Sequence, residues 1–136
     1  MAYTGYKNIE NFYDNVRVEL SATQKILADD VIDLASKAPR AESILKSIIS
    51  DWETLDEEKI KKFELAVIIK TAIICYNSVY SPNIKSEQIP TIKREYNGNG
   101  AYLTMLNGEL NGLLKEIDNS YSPIILSMFR TTQQGW

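Results

Sequence analysis

Apolar residues recur at spacings of three and four along most of the chain, which is the period of an amphipathic α-helix. Five stretches follow this pattern, and polar or proline-containing segments separate them. The first three predicted helices span 9–20, about 22–37 and about 39–52. The fourth follows a capping box at 54–57 and runs to about residue 80, and the last spans 107–118. The fourth is apolar around much of its circumference between Phe63 and Ile74, so we expect it to be the central helix.

Signals for helix ends accompany several of these stretches. Ser21 suits the N-cap of the second helix, and the third helix can begin at Pro39. The sequence Thr54-Leu-Asp-Glu57 matches a capping box, which predicts the start of the central helix. Gly108 and Gly112 weaken the last helix by about 1 kcal/mol each relative to alanine.

The segment Ile92–Met105 departs from the helical period. Short runs with aromatic or β-branched residues flank Asn97-Gly98-Asn99-Gly100. Asn-Gly pairs tolerate the positive φ angles of tight hairpin turns. The sequence therefore predicts a mainly α fold: a bundle of about five helices in a single domain (1–122), with a projecting β-hairpin or long loop at 92–105.

The hairpin residues are candidates for contact between subunits. The four-residue turn lacks the Gly-Lys-Ser/Thr ending of a phosphate-binding loop. An isolated two-stranded ribbon is only marginally stable in water, so we favour packing against a partner, an identical copy of the chain, over an idle turn. The predicted subunit-interface residues are Arg94, Tyr96, Asn97, Gly98, Asn99, Gly100 and Tyr102.

Residues 123–136 form a C-terminal tail with an apolar first half. The tail can be a short helix capped by Ser122 that packs on its own bundle, or an extended strap that docks on a partner. We favour docking, because aromatic and methionine side chains are typical interface anchors. The predicted docking residues are Ile124, Ile125, Leu126, Met128, Phe129, Arg130 and Trp136.

Composition argues against catalysis and cofactor chemistry. The 136 residues carry a net charge of −3, contain no histidine, and include one cysteine, Cys75, in an apolar run where burial is expected. The carboxylates at 51–58 fit a solvated helix start better than a metal site. We expect no enzyme activity, no cofactor, no metal ion and no membrane span. Lys85, Lys93 and Arg94 could contact phosphates, but such residues are more often solvated.

The order of these segments resembles the head–tail connector adaptors of tailed bacteriophages. The resemblance rests on the central helix from Phe63 to Tyr76, and on the segment from Ile92 to Leu110 that precedes the last helix. The tail of this chain is longer and more apolar at Ile124–Phe129 than the family pattern.

The resemblance implies a structural virion protein in the phage neck, made in the bacterial host cytoplasm. Family members form a ring, commonly of twelve subunits, beneath the portal protein and link the capsid to the tail. The tail would dock on the portal, the hairpin or loop would contact neighbouring subunits or the next neck protein, and DNA would pass through the channel without specific binding. The alternatives are a small DNA-binding regulator with a β-wing and a small phage inhibitor of a host protein. A long, apolar helix before the wing counts against the regulator.

Overall fold

The computed structural model describes residues 2–79 and 101–121. Five α-helices lie in these ranges, with one 3-10 turn at Tyr6–Asn8 ahead of the first helix and another at Trp52–Thr54 between the third and the fourth. No strand occurs in these residues, and the prediction of a mainly α fold with about five helices is confirmed. The helices are α1 (Phe12–Leu20), α2 (Asp29–Ile32), α3 (Ala38–Ile48), α4 (Glu57–Val79) and α5 (Ala101–Ile117).

Helix α4 is central, as its apolar circumference predicts. It packs against α1, α3 and α5, with the most extensive contact on α5. Lys62 reaches Glu116, and the ring of Tyr76 lies 6.4 Å from that of Tyr102. Both pairs fit one antiparallel register, since the two contact points are fourteen positions apart on each helix. Leu65 therefore lies opposite Leu113, and Ile69 opposite Glu109.

The start of α4 differs from the predicted capping box. Asp56 caps the helix, because its Oδ1 accepts a hydrogen bond of 2.9 Å from the backbone N–H of Lys59. The hydroxyl of Thr54 instead donates to the carbonyl of Asp51 at 3.1 Å within the preceding 3-10 turn. The helix begins at Glu57 because the side chain that satisfies its first N–H groups stands two residues later than the box predicts.

The second predicted helix, 22–37, is wrong for most of its length. Only Asp29–Ile32 is α-helical, and Leu34 is 52% exposed. The buried Arg17 guanidinium donates to the carbonyl of Leu27 at 3.1 Å and to Asp29 at 2.6 Å. These bonds from α1 hold the chain around Leu27 and Asp29 in a turn, which is incompatible with one continuous helix over 22–37.

The second strand of the predicted hairpin is also wrong. Residues from Ala101 onward belong to α5, so the last helix starts six residues earlier than expected. The helix extends upstream of Asn107 because an apolar stripe continues along one of its faces and packs against α4. Its buried members are Tyr102, Leu106, Leu110, Leu114 and Ile117. Residues 92–100 and the tail lie outside the described residues.

Candidate assembly surface

The predicted interface residues fall into two groups. Tyr102 is only 1% exposed, because it forms part of the α4–α5 core, and it offers no surface to a neighbouring subunit in this fold. The hairpin residues 94–100 and the docking residues 124–136 lie outside the described ranges. Their partner contacts stay predictions.

A groove runs between α4 and α5 on the outside of the bundle. It is a shallow, open depression with a volume of about 300 Å³. Leu65 lines it and remains 42% exposed despite its place in the central helix. We call this surface the α4–α5 groove; its lining residues are Leu65, Ile69, Glu109, Gly112, Leu113 and Glu116.

Gly112 is an exposed glycine on the lining of the groove. A Cβ built at Gly112 meets no atom within 4 Å, so packing within the chain does not require a glycine there. Met105, one helical turn before Glu109, extends the same side of α5 and is 41% exposed. The groove therefore leaves an apolar strip uncovered by the described residues.

The rim of the groove is acidic. Glu116 lies 3.5 Å from Lys62, whose ammonium group also lies 3.6 Å from Glu58. Glu109 makes no ion pair with any residue in the described ranges. An apolar floor with a carboxylate rim suits a partner that combines apolar side chains with basic ones.

A second surface, the α3 flank, has the opposite charge. Arg40, Ile44 and Ile48 recur every four residues along one side of α3, and Ile48 is 36% exposed. Helix α3 packs on α4, which carries Lys70. Burial lowers the pKa of the Lys70 ammonium, and the positive charge of Arg40 lowers it further. We define the α3 flank as Leu34, Lys37, Arg40, Ile44, Ile48 and Lys70.

None of the three basic side chains of the α3 flank has an acidic partner in the part of the chain that the structure describes. Lys7, Lys25, Lys59, Lys61 and Lys115 also lack an acidic partner in these residues, so the distinguishing feature of the flank is that its charges lie beside exposed apolar side chains. The half-buried position of Lys70 adds a desolvation cost that a nearby carboxylate would offset.

A tyrosine network ties the segment before α1 to the rest of the bundle. The Tyr3 hydroxyl and the Tyr6 backbone N–H both donate to Oε2 of Glu42, at 2.6 and 2.8 Å. The hydroxyls of Tyr6 and Tyr13 donate to Asp33 at 3.0 and 2.7 Å. Burial, together with these hydrogen bonds to carboxylates, raises the pKa of each tyrosine, and that of Tyr6 reaches about 12. These hydroxyls therefore stay protonated at neutral pH and act as structural donors.

A polar cavity of about 300 Å³ beside α1 is lined by Arg17 and its two carboxylate partners, with Lys7 as a further cation that is unpaired within the described residues. Arg17 bridges Asp14 at 2.8 Å and Asp29 at 2.6 Å. Its guanidinium is also hydrogen-bonded to the Leu27 carbonyl. The arrangement fits a bond network that fixes the turn after α1.

Cys75 is fully buried, as predicted, and burial raises the pKa of its thiol to about 11. A protonated, inaccessible thiol is a poor nucleophile. Among residues 2–79 and 101–121, no group of three or more Cys, Asp or Glu side chains could hold a metal ion. None of the helices in these ranges is long and apolar enough to cross a membrane.

No family model, curated protein or solved structure matches this chain. The candidate surfaces are therefore defined by the geometry of the chain itself. Sequence reasoning missed both, because Leu65 and Ile48 follow the helical period of core residues and Met105 falls in the predicted hairpin. No sequence signal indicates that Lys37, Arg40 and Lys70 share a surface, because that depends on the packing of α3 on α4.

Proposed function

We propose that this chain is a structural assembly protein of a tailed-phage neck. In this role it forms a ring beneath the portal, commonly of twelve subunits in the family it resembles, and links the capsid to the tail. The observation that carries the proposal is the pair of uncovered surfaces on one rigid bundle: an apolar groove with an acidic rim and a basic, apolar flank. Proteins that act by contact need such surfaces.

The chemistry of the described residues supports a role without catalysis. The strongly perturbed hydroxyls of Tyr3, Tyr6 and Tyr13 are held in hydrogen bonds to carboxylates that join the chain to itself. Such perturbed groups mark structural networks as well as active sites. Here each donor already has its acceptor, so the network serves the fold.

The order of elements supports the placement in the neck. A long central helix, α4, is followed by residues 80–100, by α5 and by an apolar segment at 124–129. This order resembles the layout of the connector adaptors. In the proposed assembly that apolar segment docks on the portal, residues 94–100 contact a neighbouring copy or the next neck protein, and DNA passes through the channel unbound.

A second candidate, a small DNA-binding regulator, rests on the α3 flank. Lys37, Arg40 and Lys70 could contact phosphates. Against it, the flank combines these charges with exposed apolar side chains, Leu34 and Ile48, which suit a protein surface better than a phosphate backbone.

A binding assay with the portal protein encoded in the same genome tests the proposal. The full chain and a variant lacking 124–136 are each incubated with immobilised portal, and Glu53→Gln, an exposed residue of the 3-10 turn, serves as the matched control. We expect the immobilised portal to retain the full chain and the control variant. The shortened chain should wash through unbound. Equal retention of the shortened chain would rule out docking through this segment. A sequence-dependent shift of duplex DNA at physiological salt would favour the regulator.

A further inference from the structure

We propose that copies of this chain join head to tail, with the α3 flank of one copy seated on the α4–α5 groove of the next. This contact would be the one between neighbouring subunits of the proposed ring. It rests on the proposed function in one respect, that the chain assembles with itself. It involves described residues alone.

The two surfaces match in their apolar content. The groove exposes Leu65 and Met105, at 42% and 41%, and the flank exposes Leu34 and Ile48, at 52% and 36%. Of the five large hydrophobic side chains left exposed in the described residues, these four lie on the two surfaces, and Val18 of α1, at 69%, lies on neither. Covering them removes apolar surface from water on both partners.

The charges of the two surfaces are opposite. The rim of the groove carries Glu109 and Glu116, and the flank carries Lys37, Arg40 and Lys70. Glu109 and the three basic residues lack ion-pair partners in the ranges that the structure describes. Such complementarity sets which surfaces meet and suppresses flank-to-flank and groove-to-groove contact.

One copy cannot bring its own two surfaces together. Leu65 and Lys70 are five residues apart on α4, so their side chains project about 140° apart around the helix axis. Helix α5 occupies one of these sides and α3 packs on another. Two different surfaces that complement each other on one chain make a heterologous contact, which builds a ring when the rotation closes.

Charge-reversed pairs test the contact by complementation. One variant carries Glu109→Lys and Glu116→Lys, and the other carries Lys37→Glu and Arg40→Glu. We expect each alone to associate at least about tenfold more weakly than the natural chain, because the interface then brings like charges together. In an equimolar mixture each groove meets a flank of opposite charge, so sedimentation velocity should show association restored.

The control variant is Lys25→Glu and Lys61→Glu, which changes charge at exposed or solvent-facing positions outside both surfaces. It should associate like the natural chain. Urea unfolding of every variant checks that the fold is kept. Loss of association in both reversed variants without recovery in the mixture would overturn the head-to-tail contact, and so would unchanged association of either variant alone.

Zero-length cross-linking of the natural chain gives an independent measurement that needs no variant. A carbodiimide joins a carboxylate to an amine in direct contact, and mixing isotope-labelled with unlabelled chain identifies links between copies. We expect Lys37 or Lys70 to be linked to Glu109 or Glu116 across copies. Links between copies that involve only other residues, such as those of the 123–136 segment, would contradict the contact, as would the absence of links between copies. The portal assay is read separately, so loss of portal binding leaves this result intact.

Discussion

At the scale of single residues, Gly5 is the backbone position on which the segment before α1 depends. Its φ of +123° and ψ of 154° lie in a region that is essentially restricted to glycine. This conformation lets the Tyr6 N–H reach Glu42 at 2.8 Å. We expect Gly5→Ala to lower the free energy of unfolding by about 1–3 kcal/mol, measured by urea denaturation.

The matched control for this change is Gly108→Ala. Gly108 lies within α5, and a Cβ there meets no atom within 4 Å. The same chemical change should therefore raise the free energy of unfolding by about 1 kcal/mol through helix propensity. A stabilising effect at Gly5 would contradict the backbone argument.

Tyr6 makes the stability of the bundle sensitive to alkaline pH. Burial and the hydrogen bond to Asp33 raise its pKa to about 12, against about 10 in the unfolded chain. Above pH 10 the unfolded state releases this proton and the folded state keeps it, so stability is lost as pH rises from about 10 to 12. We expect Tyr6→Phe to flatten the fall of the unfolding free energy over this range, measured by urea titrations at successive pH values. An unchanged slope would show that Tyr6 titrates normally in the fold.

At the scale of elements, the first turn of α4 depends on Asp56. Its carboxylate caps the Lys59 N–H, whereas Thr54 bonds within the preceding turn. We expect Asp56→Ala to cost about 1 kcal/mol of unfolding free energy and Thr54→Ala to cost less. A larger loss of stability for Thr54→Ala than for Asp56→Ala would contradict this assignment and support the capping box that the sequence predicts.

Helix α5 gives a test in which stability and assembly change in opposite directions. Gly112 lines the α4–α5 groove, and Gly108 does not. We expect Gly112→Ala to raise the free energy of unfolding by about 1 kcal/mol and to weaken association between copies, because the methyl group occupies the groove. Gly108→Ala should stabilise the fold equally and leave association unchanged. Equal association of the two variants would place the contact elsewhere.

The helical pattern predicted the elements best where packing follows the local period. The stripe of α1 and the apolar circumference of α4 are read directly from spacing. The break in 22–37 could not be predicted, because it depends on the Arg17 guanidinium reaching across from α1. At Ala101–Met105 the Asn-Gly signal outweighed a stripe that was present in the sequence. The groove and the α3 flank depend on how the helices pack against one another, which the spacing of apolar residues in the sequence does not predict.

At the scale of the whole molecule, one small bundle carries two complementary surfaces and a central helix that fixes their separation. Helix α4 supplies Leu65 to one surface and Lys70 to the other, so the angle between them is set by a single rigid element. A modest net charge of −3 coexists with a concentrated basic flank. In the proposed ring that flank is covered by the next copy.

Co-sedimentation of the full chain with assembled portal protein tests the central claim most directly. We predict saturable binding, with chain and portal subunits in a fixed ratio near one to one, and electron microscopy of the pellet should show an added ring at one end of the portal. The absence of binding at any ratio, with the chain folded and the portal intact, would contradict the account of this protein as a neck adaptor.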